Sequence, residues 1–565
     1  MRLVDLGKNP RNNGMRLVST GDLEGPVKYA VVCKPRGSMF SIDTALKMKE
    51  ALAKPDGLHW REVPQQFQDI AVLAHEQDIR YLWVNHLCIM SENPYERTWH
   101  LDQIDAIFGQ AYITLVGGNG DSKSSLFRRQ LPNSDSHGMP STVSIELSKA
   151  GRKYTVHARQ ELYTAHFDVL GRENPVVMVR YDMQPPAAGL NNDFAHFLND
   201  EDFILQQLML SPRVLHIHPL ELLWECGEAT KCECRVLDGV EAKTTRQRLR
   251  SHHQKRTTHS MAWSFVQEEY HRRVSLSALP SERLLHIAGL ARWWQENTRL
   301  AYLAGIFARS AEDLAQSLLW NICPLPGRST RQVSGVTRYH SPGVPSWSPF
   351  SMTALGKYTY YHGNAQNYNV HFSLDRYFKF LDVTYKTPPG AREDPFMAGS
   401  WTLHIEGRLL LATVDMKTVY HSVAWFNLAP ANESCGPNML AKPGWYQPIG
   451  HPSLTPMPPQ HGGDQFSAVA RFKPDCDFWV RDQAERYHSQ GQRWVYVYLL
   501  VLGKTVVGVP GVQKSPTHFS HVGLVLRRSP SKLKERQGFE RIGTFISRAD
   551  LGYFMQSQTG QIDLV

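Results

Sequence analysis

The sequence lacks any apolar run long enough to cross a membrane. Its strongest run, WVYVYLLVL at residues 494–502, ends at Gly503 and Lys504, whereas a spanning helix needs roughly 20 apolar residues. The β-branched and aromatic residues of this run favour a buried strand instead. The first residues also lack the unbroken apolar core of an export signal, because Asp5 interrupts them. We therefore expect a chain without a membrane span, located in the cytoplasm.

Cysteine is sparse, and charge of either sign is not strongly in excess. Eight cysteines are scattered over 565 residues, which favours reduced thiols over a disulfide framework. The net charge of +9 is mild for this length and permits an acidic partner without requiring one. The basic stretch 243–256 has no interleaved aromatic residues. It is therefore expected to be a solvated loop, and nucleic-acid binding is not expected.

The chain is too long for one hydrophobic core, and its patterns predict several regions. Strand-like and helix-like segments alternate in residues 1–121, which favours an α/β core with a parallel sheet and flanking helices. Residues 122–238 are predicted to continue that domain with irregular insertions, followed by a basic linker at 239–260. Helical periodicity then covers 261–343, and many short strands separated by Pro and Gly favour a β-rich domain at 344–565.

Apolar periodicity also places individual elements. Predicted strands of the α/β core are 29–32, 81–89 and 112–116, and its predicted helices are 67–76, 100–111 and 203–210. In the helical region the predicted helices are 263–270, 284–296, 300–308 and 314–320. The predicted strands of the last region are 401–405, 409–414, 466–472, 494–502 and 522–526.

Several linked motifs follow one another along the chain. The first three are VPQQFQD at 63–69, RYLWVNHLCI at 80–89 and IFGQAYITLV at 107–116. LSPRVLH at 210–216 with ELLWEC at 221–226, and PSWS at 345–348, come later. Together these blocks resemble the fungal heterokaryon-incompatibility (HET) family. The positions that carry the resemblance are Asp69, Trp83, Leu87, Cys88, Ile89, Ala111, Arg213, Trp224, Glu225, Cys226 and Trp347.

The resemblance implies a fold and a role. HET domains resemble Toll-type receptor (TIR) domains, so it implies a TIR-like parallel sheet at the N-terminus. It further implies a part in non-self recognition and programmed cell death, with other proteins of an incompatibility system as partners. No cofactor is expected. NAD enters only as a possible substrate, because some TIR domains cleave it.

The sequence departs from the family pattern at two acidic positions. Where the family motifs have carboxylates, this chain has Asn85 and Gln207. The first strand also loses its aromatic ending, with Cys33, Lys34 and Pro35 in its place. An amide carries no net charge and cannot act as a general base near neutral pH.

Three functions stay open on these residues. The chain could be a degenerate regulatory or interaction copy, an active effector that hydrolyses NAD or a related nucleotide, or a scaffold that binds through residues 344–565. If the two acids are merely structural in the family, their exchange for amides carries no catalytic meaning.

Two further site hypotheses are weaker than their structural alternatives. Cys226, Cys232 and Cys234 could ligate zinc with a nearby histidine, but the spacing is not that of a standard finger, and structural thiols are favoured. His86 and Cys88 would share one face of a strand and could form a catalytic pair. Core packing is the favoured interpretation of that pair.

Overall fold

The structure is a computed structural model of the chain. It divides into two compact units, Met1–Thr257 and Thr258–Val565. None of the helices in the described part of the chain has the length and apolar character needed to cross a bilayer. The residues that the structure describes are 1–12, 14–33, 42–89, 103–117, 125–127, 143–149, 152–158, 204–217, 222–233, 235, 246–247, 249–250, 259–273, 283–324, 337–338, 343–353, 358–362, 372–387, 393–396, 399–415, 426–430, 470–475, 494–506, 519–529, 538–547 and 557–565.

The first unit is an α/β structure. Its strands are β1 Arg2–Asp5, β2 Arg16–Ser19, β3 Tyr29–Cys33, β4 Tyr81–Val84, β5 Ile113–Val116, β6 Val143–Lys149, β7 Arg152–Ala158, β8 Arg213–Ile217, β9 Leu222–Cys226 and β10 Thr230–Cys232. Its helices are α1 Ile42–Leu52, α2 Gln65–Glu76, the single turn α3 Asn85–Cys88, α4 Ile104–Gly109 and α5 Ile204–Leu210. Short 3-10 turns lie at Thr20–Asp22 and Trp60–Glu62.

Eight of these strands form one mixed sheet in the order β10-β9-β8-β5-β3-β4-β1-β2. The four central strands, β8, β5, β3 and β4, are parallel, as predicted for the core, whereas the outer strands are antiparallel. From β3 the chain passes to β4, which lies on one side of β3 in the sheet. It then crosses back to β5, which lies on the other side of β3. This is the doubly wound order, in which ligands bind beyond the carboxyl ends of the strands where the winding reverses.

The predicted strand 81–89 is wrong in its second half. The strand ends at Val84, and the chain turns through α3. Leu87 and Cys88 are nevertheless fully buried, because the turn directs them into the core. A short apolar run is compatible with either a strand or a buried helical turn, so its periodicity could not separate the two.

The basic stretch after the sheet also differs from the prediction. Four of its residues are described, and Arg246, Gln247 and Leu249 are buried, while Arg250 is half-buried. At these positions the segment is packed against the first unit and is not a solvated loop. The sequence predicts solvation because the partners of Arg246 and Arg250 lie far away along the chain. These partners are a carboxylate and backbone carbonyl groups, which accept hydrogen bonds from the two guanidinium groups or pair with them.

The second unit begins with helices and ends in a large sheet. Its helices are α6 His259–Arg273, α7 Ala288–Thr298 and α8 Ala311–Ser317, with 3-10 turns at Leu285–Ile287 and Pro349–Ser351. Its strands are β11 Ala301–Leu303, β12 Ile306–Ala308, β13 Trp320–Pro324, β14 Thr337–Arg338, β15 Met352–Thr353, β16 Tyr358–His362, β17 Phe372–Leu374, β18 Lys379–Lys386, β19 Ser400–Asp415, β20 Phe426–Pro430, β21 Ala470–Pro474, β22 Trp494–Val506, β23 Phe519–Arg528, β24 Gly538–Ser547 and β25 Gln558–Leu564.

The predicted helix 300–308 is wrong, so the middle region is not simply helical. The segment forms the hairpin β11–β12. Ala304 and Gly305 both have positive φ, 43° and 90°, as in the type I′ turn that suits a two-residue hairpin loop. A Cβ on Gly305 would lie 2.3 Å from the Phe350 ring, so glycine is required there.

The predicted β-rich region is confirmed as a nine-stranded sheet, antiparallel except for the β24–β25 pair. The predicted strands 401–405 and 409–414 are one continuous strand, β19. Because β19 pairs with both β20 and β22, the strands β19, β22, β23, β24, β21 and β20 close into a ring. The guanidinium group of Arg541 is fully buried, where it binds Asp475 at 2.9 Å and lies 3.3 Å from the Trp320 ring centroid.

Candidate functional site

The carboxyl edge of the four parallel strands is the candidate site. Val32 on β3 pairs with Val84 on β4, and Cys33 pairs with Val116 on β5. Asn85, which follows Val84, therefore lies at the same end of the sheet as Cys33. This is the edge where a doubly wound sheet binds its ligands.

Asn85 is exposed at this edge, at the start of α3. The turn that carries it is held by two cationic side chains. Arg2 Nε donates to the Cys88 carbonyl at 3.2 Å, and Lys49 Nζ donates to the Ile89 carbonyl at 2.6 Å. The position of Asn85 is thus fixed from both the sheet and α1.

Gln207, the second amide, reaches the same edge from α5. Its Oε1 accepts a hydrogen bond from the Cys33 thiol at 3.3 Å. Its backbone carbonyl accepts from Ser211 Oγ at 2.7 Å, and Ser211 Oγ lies 2.6 Å from Thr114 Oγ1 on β5. The structure therefore brings Asn85 and Gln207 to one edge around Cys33, although 122 residues separate them in the sequence (207 − 85).

The predicted geometry of a His86–Cys88 pair is wrong. On a turn the two side chains diverge: His86 is exposed, whereas Cys88 is fully buried. Burial raises the pKa of the Cys88 thiol to about 12. Although the surface of His86 is exposed, partial desolvation of its ring and then the nearby charge of Lys49 lower its pKa. A thiol that stays protonated at neutral pH is a poor nucleophile, so Cys88 belongs to the core.

Asp69 has a structural use within its helix and beyond it. Its carboxylate accepts from Gln65 Nε2 at 2.8 Å, from Ser125 Oγ at 2.7 Å and from the Leu126 amide at 2.7 Å. The bonds from Ser125 and Leu126 tie α2 to the segment that follows β5, whereas the bond from Gln65 lies within α2. The motif position is thereby explained without any catalytic role.

Glu225 is the centre of a buried ionic cluster on β8 and β9. Its Oε1 lies 3.2 Å from Arg246 Nε, and its Oε2 lies 3.7 Å from Nε2 of His216. All three side chains are at least 93% buried. Because unpaired buried charge is costly, Glu225 stabilises the guanidinium group beside it.

Arg246 of this cluster and the nearby Arg250 cap the end of α5. Arg246 Nη1 donates to the Ser211 carbonyl at 2.7 Å, and Arg250 Nη2 donates to the Leu210 carbonyl at 3.0 Å. The last carbonyls of a helix have no partner within it and favour positive charge. Burial, and then repulsion by Arg246, lower the pKa of Arg250 to about 10. No motif in the sequence singled out either arginine.

The zinc hypothesis gains no support from the described residues, among which no group of three or more metal-ligating side chains could hold an ion. Cys234 lies outside the described residues. Cys226 is half-buried at the β9–β10 turn, and its sulfur accepts from the Ala229 amide at 3.4 Å. Burial would raise the pKa of this thiol, but backbone hydrogen bonds from Glu228 and Ala229 outweigh burial and lower the pKa.

The remaining motif residues serve packing or edge contacts. Trp83 is 4% exposed and packs edge-on against Phe108, with ring centroids 5.6 Å apart. Arg213 is exposed, and its Nη1 donates to the Tyr112 carbonyl at 3.1 Å. Leu87, Ala111 and Trp347 are buried, and Ile89 and Trp224 are half-buried. Trp347 belongs to the second unit, where its indole nitrogen donates to the Leu564 carbonyl at 3.2 Å.

Comparison with known proteins finds a family model that is similar to part of the first unit. Residues 38–167 match the model of the family described as "Heterokaryon incompatibility protein (HET)". Asp69, Trp83 and Asn85 fall inside the match, whereas Gln207 and Glu225 lie beyond it. No curated protein and no solved structure matches the chain. The likeness to TIR domains therefore stays a prediction.

Proposed function

We propose that this protein, which carries a HET domain, acts in heterokaryon-incompatibility signalling as a regulatory copy that does not cleave NAD. Its partners in this proposal are other proteins of the incompatibility system. The observation that carries the proposal is the pair of amides, Asn85 and Gln207, at the carboxyl edge of the sheet. Both occupy positions where the family motifs have carboxylates.

Charge at this edge decides the chemistry. Cleavage of the bond between nicotinamide and ribose develops positive charge on the sugar, which a carboxylate stabilises. Neither Asn85 nor Gln207 can supply that negative charge. The Gln207 oxygen is already engaged by the Cys33 thiol, which makes it a structural contact of α5 with β3.

The alternative is an active NAD hydrolase, and the strand order favours it. The winding reverses between β3 and β5, so a nucleotide would be expected beyond Cys33 and Val116. In this alternative a catalytic group other than Asn85 and Gln207 must supply the negative charge.

The test is nicotinamide release from NAD by the purified full-length chain, with an intact HET protein as positive control. We expect no release above that of buffer from the native chain. Turnover that is lost on substitution at the carboxyl edge would overturn the proposal and support the alternative.

A gain-of-function experiment sharpens the test. Asn85→Asp combined with Gln207→Glu restores the two carboxylates at nearly unchanged volume. Gln77→Glu, on an exposed glutamine at the end of α2, is the matched control for added negative charge. Release by the double variant alone would assign the lost activity to these two positions.

A further inference from the structure

Three neighbouring strands of the second unit bring a hydroxyl, an imidazole and a carboxylate into one row. His404 lies on β19, which pairs with β18 on one edge and with β25 on the other. Asp563 on β25 is directly opposite His404, and Thr384 on β18 is diagonal to it, since Thr384 pairs with Thr402. Directly and diagonally opposed residues on one sheet face are within side-chain reach.

The contacts use the two ring nitrogens of His404 in a specific sense. Nδ1 lies 2.7 Å from Asp563 Oδ1, and Nε2 lies 3.2 Å from Thr384 Oγ1. The carboxylate therefore holds the Nδ1–H tautomer, which leaves the Nε2 lone pair facing the hydroxyl. A hydroxyl nucleophile, a general base and an orienting acid are arranged in this way in hydrolytic triads on unrelated folds.

We propose that Thr384, His404 and Asp563 form an acyl-transfer site that cleaves carboxylic esters. The site is independent of the HET domain and of the function proposed for it. Its position on the sheet makes the hydroxyl the outermost group: Thr384 is exposed, whereas the side chains of His404 and Asp563 are 17% and 18% exposed. The nucleophile is thus open to substrate while its base and orienting acid are shielded.

Neighbouring charges on this face are occupied by other contacts. Lys379 Nζ and Glu406 Oε1 form an ion pair at 3.0 Å. Asp382, directly opposite His404 on β18, accepts from the Val383 amide at 2.7 Å through its Oδ1. Asp563 is therefore the carboxylate that orients the imidazole.

The reaction needs no co-reactant other than water. Thr384 Oγ1 attacks the ester carbonyl carbon while its proton passes to His404 Nε2. The bond from the carbonyl carbon to the leaving oxygen then breaks, and the same proton goes to the departing alcohol. Water attacks the acyl-threonine, gives one proton to Nε2 and releases the carboxylic acid, after which that proton returns to Oγ1.

Because an activated ester has a much better leaving group than an amide, we expect activated esters to be cleaved in preference to amides. The experiment measures hydrolysis of p-nitrophenyl acetate by the full-length chain and by Thr384→Val, which removes the hydroxyl but keeps the branched shape. General base catalysis contributes about 100-fold or more, so we expect Thr384→Val to lose nearly all turnover. Thr384→Ser should retain it.

Thr402→Val is the matched control, because it removes the hydroxyl directly across from Thr384 on the same face. We expect this control to retain the native rate, and we expect mass spectrometry to find the acetyl group on Thr384. Asp563→Asn should lower the native rate, because an amide can favour the wrong tautomer of the His404 ring. A Thr384→Val chain that hydrolyses the ester as fast as the native chain, or equal losses in Thr384→Val and Thr402→Val, would overturn the proposal.

Discussion

Replacing Glu225 by Gln tests whether the segment Trp224–Cys226 is structural in this chain. The substitution keeps the shape of the side chain and removes its charge. Arg246 would remain buried against the α5 carbonyls, with Arg250 close enough to repel it. The variant therefore isolates the contribution of a single negative charge.

The expected loss follows from burial. Breaking a buried ion pair by removing one partner costs about 3–5 kcal/mol, since the remaining charge is left uncompensated. Glu225 and Arg246 are 7% and 2% exposed as side chains, so solvent screening is weak. The matched control is Glu228→Gln on the exposed turn between β9 and β10, for which about 0.5 kcal/mol or less is expected.

Hydrogen exchange of the full-length chain is the suitable assay, because two compact units make a single unfolding transition unsafe to interpret. Amides of β8 and β9 should exchange roughly 100- to 4000-fold faster in Glu225→Gln, as a loss of about 1.4 kcal/mol corresponds to tenfold. Exchange at the native rate would refute the charge-balancing argument. Glu225→Leu combined with Arg246→Met should recover much of the protection, because an apolar pair of similar volume replaces buried ion pairs well.

Three further predictions concern single side chains. Trp83→Ala should lower the free energy of unfolding of the first unit by about 3–5 kcal/mol, whereas Trp83→Phe, which keeps an aromatic ring beside Phe108, should lower it much less; hydrogen exchange of the β4 amides in both variants decides this. Cys88, with a thiol pKa raised to about 12, should resist iodoacetamide at pH 8 until the protein unfolds, whereas Cys226, with a lowered pKa, should be alkylated in the native protein; peptide mapping checks both. Burial and the charge of Arg283 lower the pKa of His286 from 6.5 to about 3, so the unfolded chain binds the extra proton and stability should fall as pH drops from about 6.5 toward 3. Hydrogen exchange of the α7 amides in native and His286→Asn chains across that range should show a smaller acid loss in the variant.

The parallel core could be predicted because its signals are local. Buried apolar runs at β3, β4 and β5 alternate with amphipathic helices, and this pattern predicts a parallel sheet with flanking helices, although not its strand order. The antiparallel strands at its edges depend on pairing between distant segments, for which no local pattern exists. The apolar residues of the predicted helix 300–308 suit either period, and the feature that favours a hairpin there is the turn at Ala304 and Gly305.

The candidate site was predictable only in part. The motif positions single out Asn85 and Gln207, and the fold brings the two residues to one edge of the sheet. Arg246 could not be found, because its partner Glu225 is 21 residues away (246 − 225) and a basic run usually indicates solvation. The row of Thr384, His404 and Asp563 is equally invisible in sequence, since strand register alone aligns it.

NAD content and viability after induction of this chain in a fungal host test the central claim most directly. An intact HET protein serves as positive control for NAD loss. A regulatory copy with amides at positions 85 and 207 predicts an unchanged NAD level, whether or not the cells die. A fall in NAD that precedes death would contradict the account and would require a catalytic carboxylate elsewhere in the first unit.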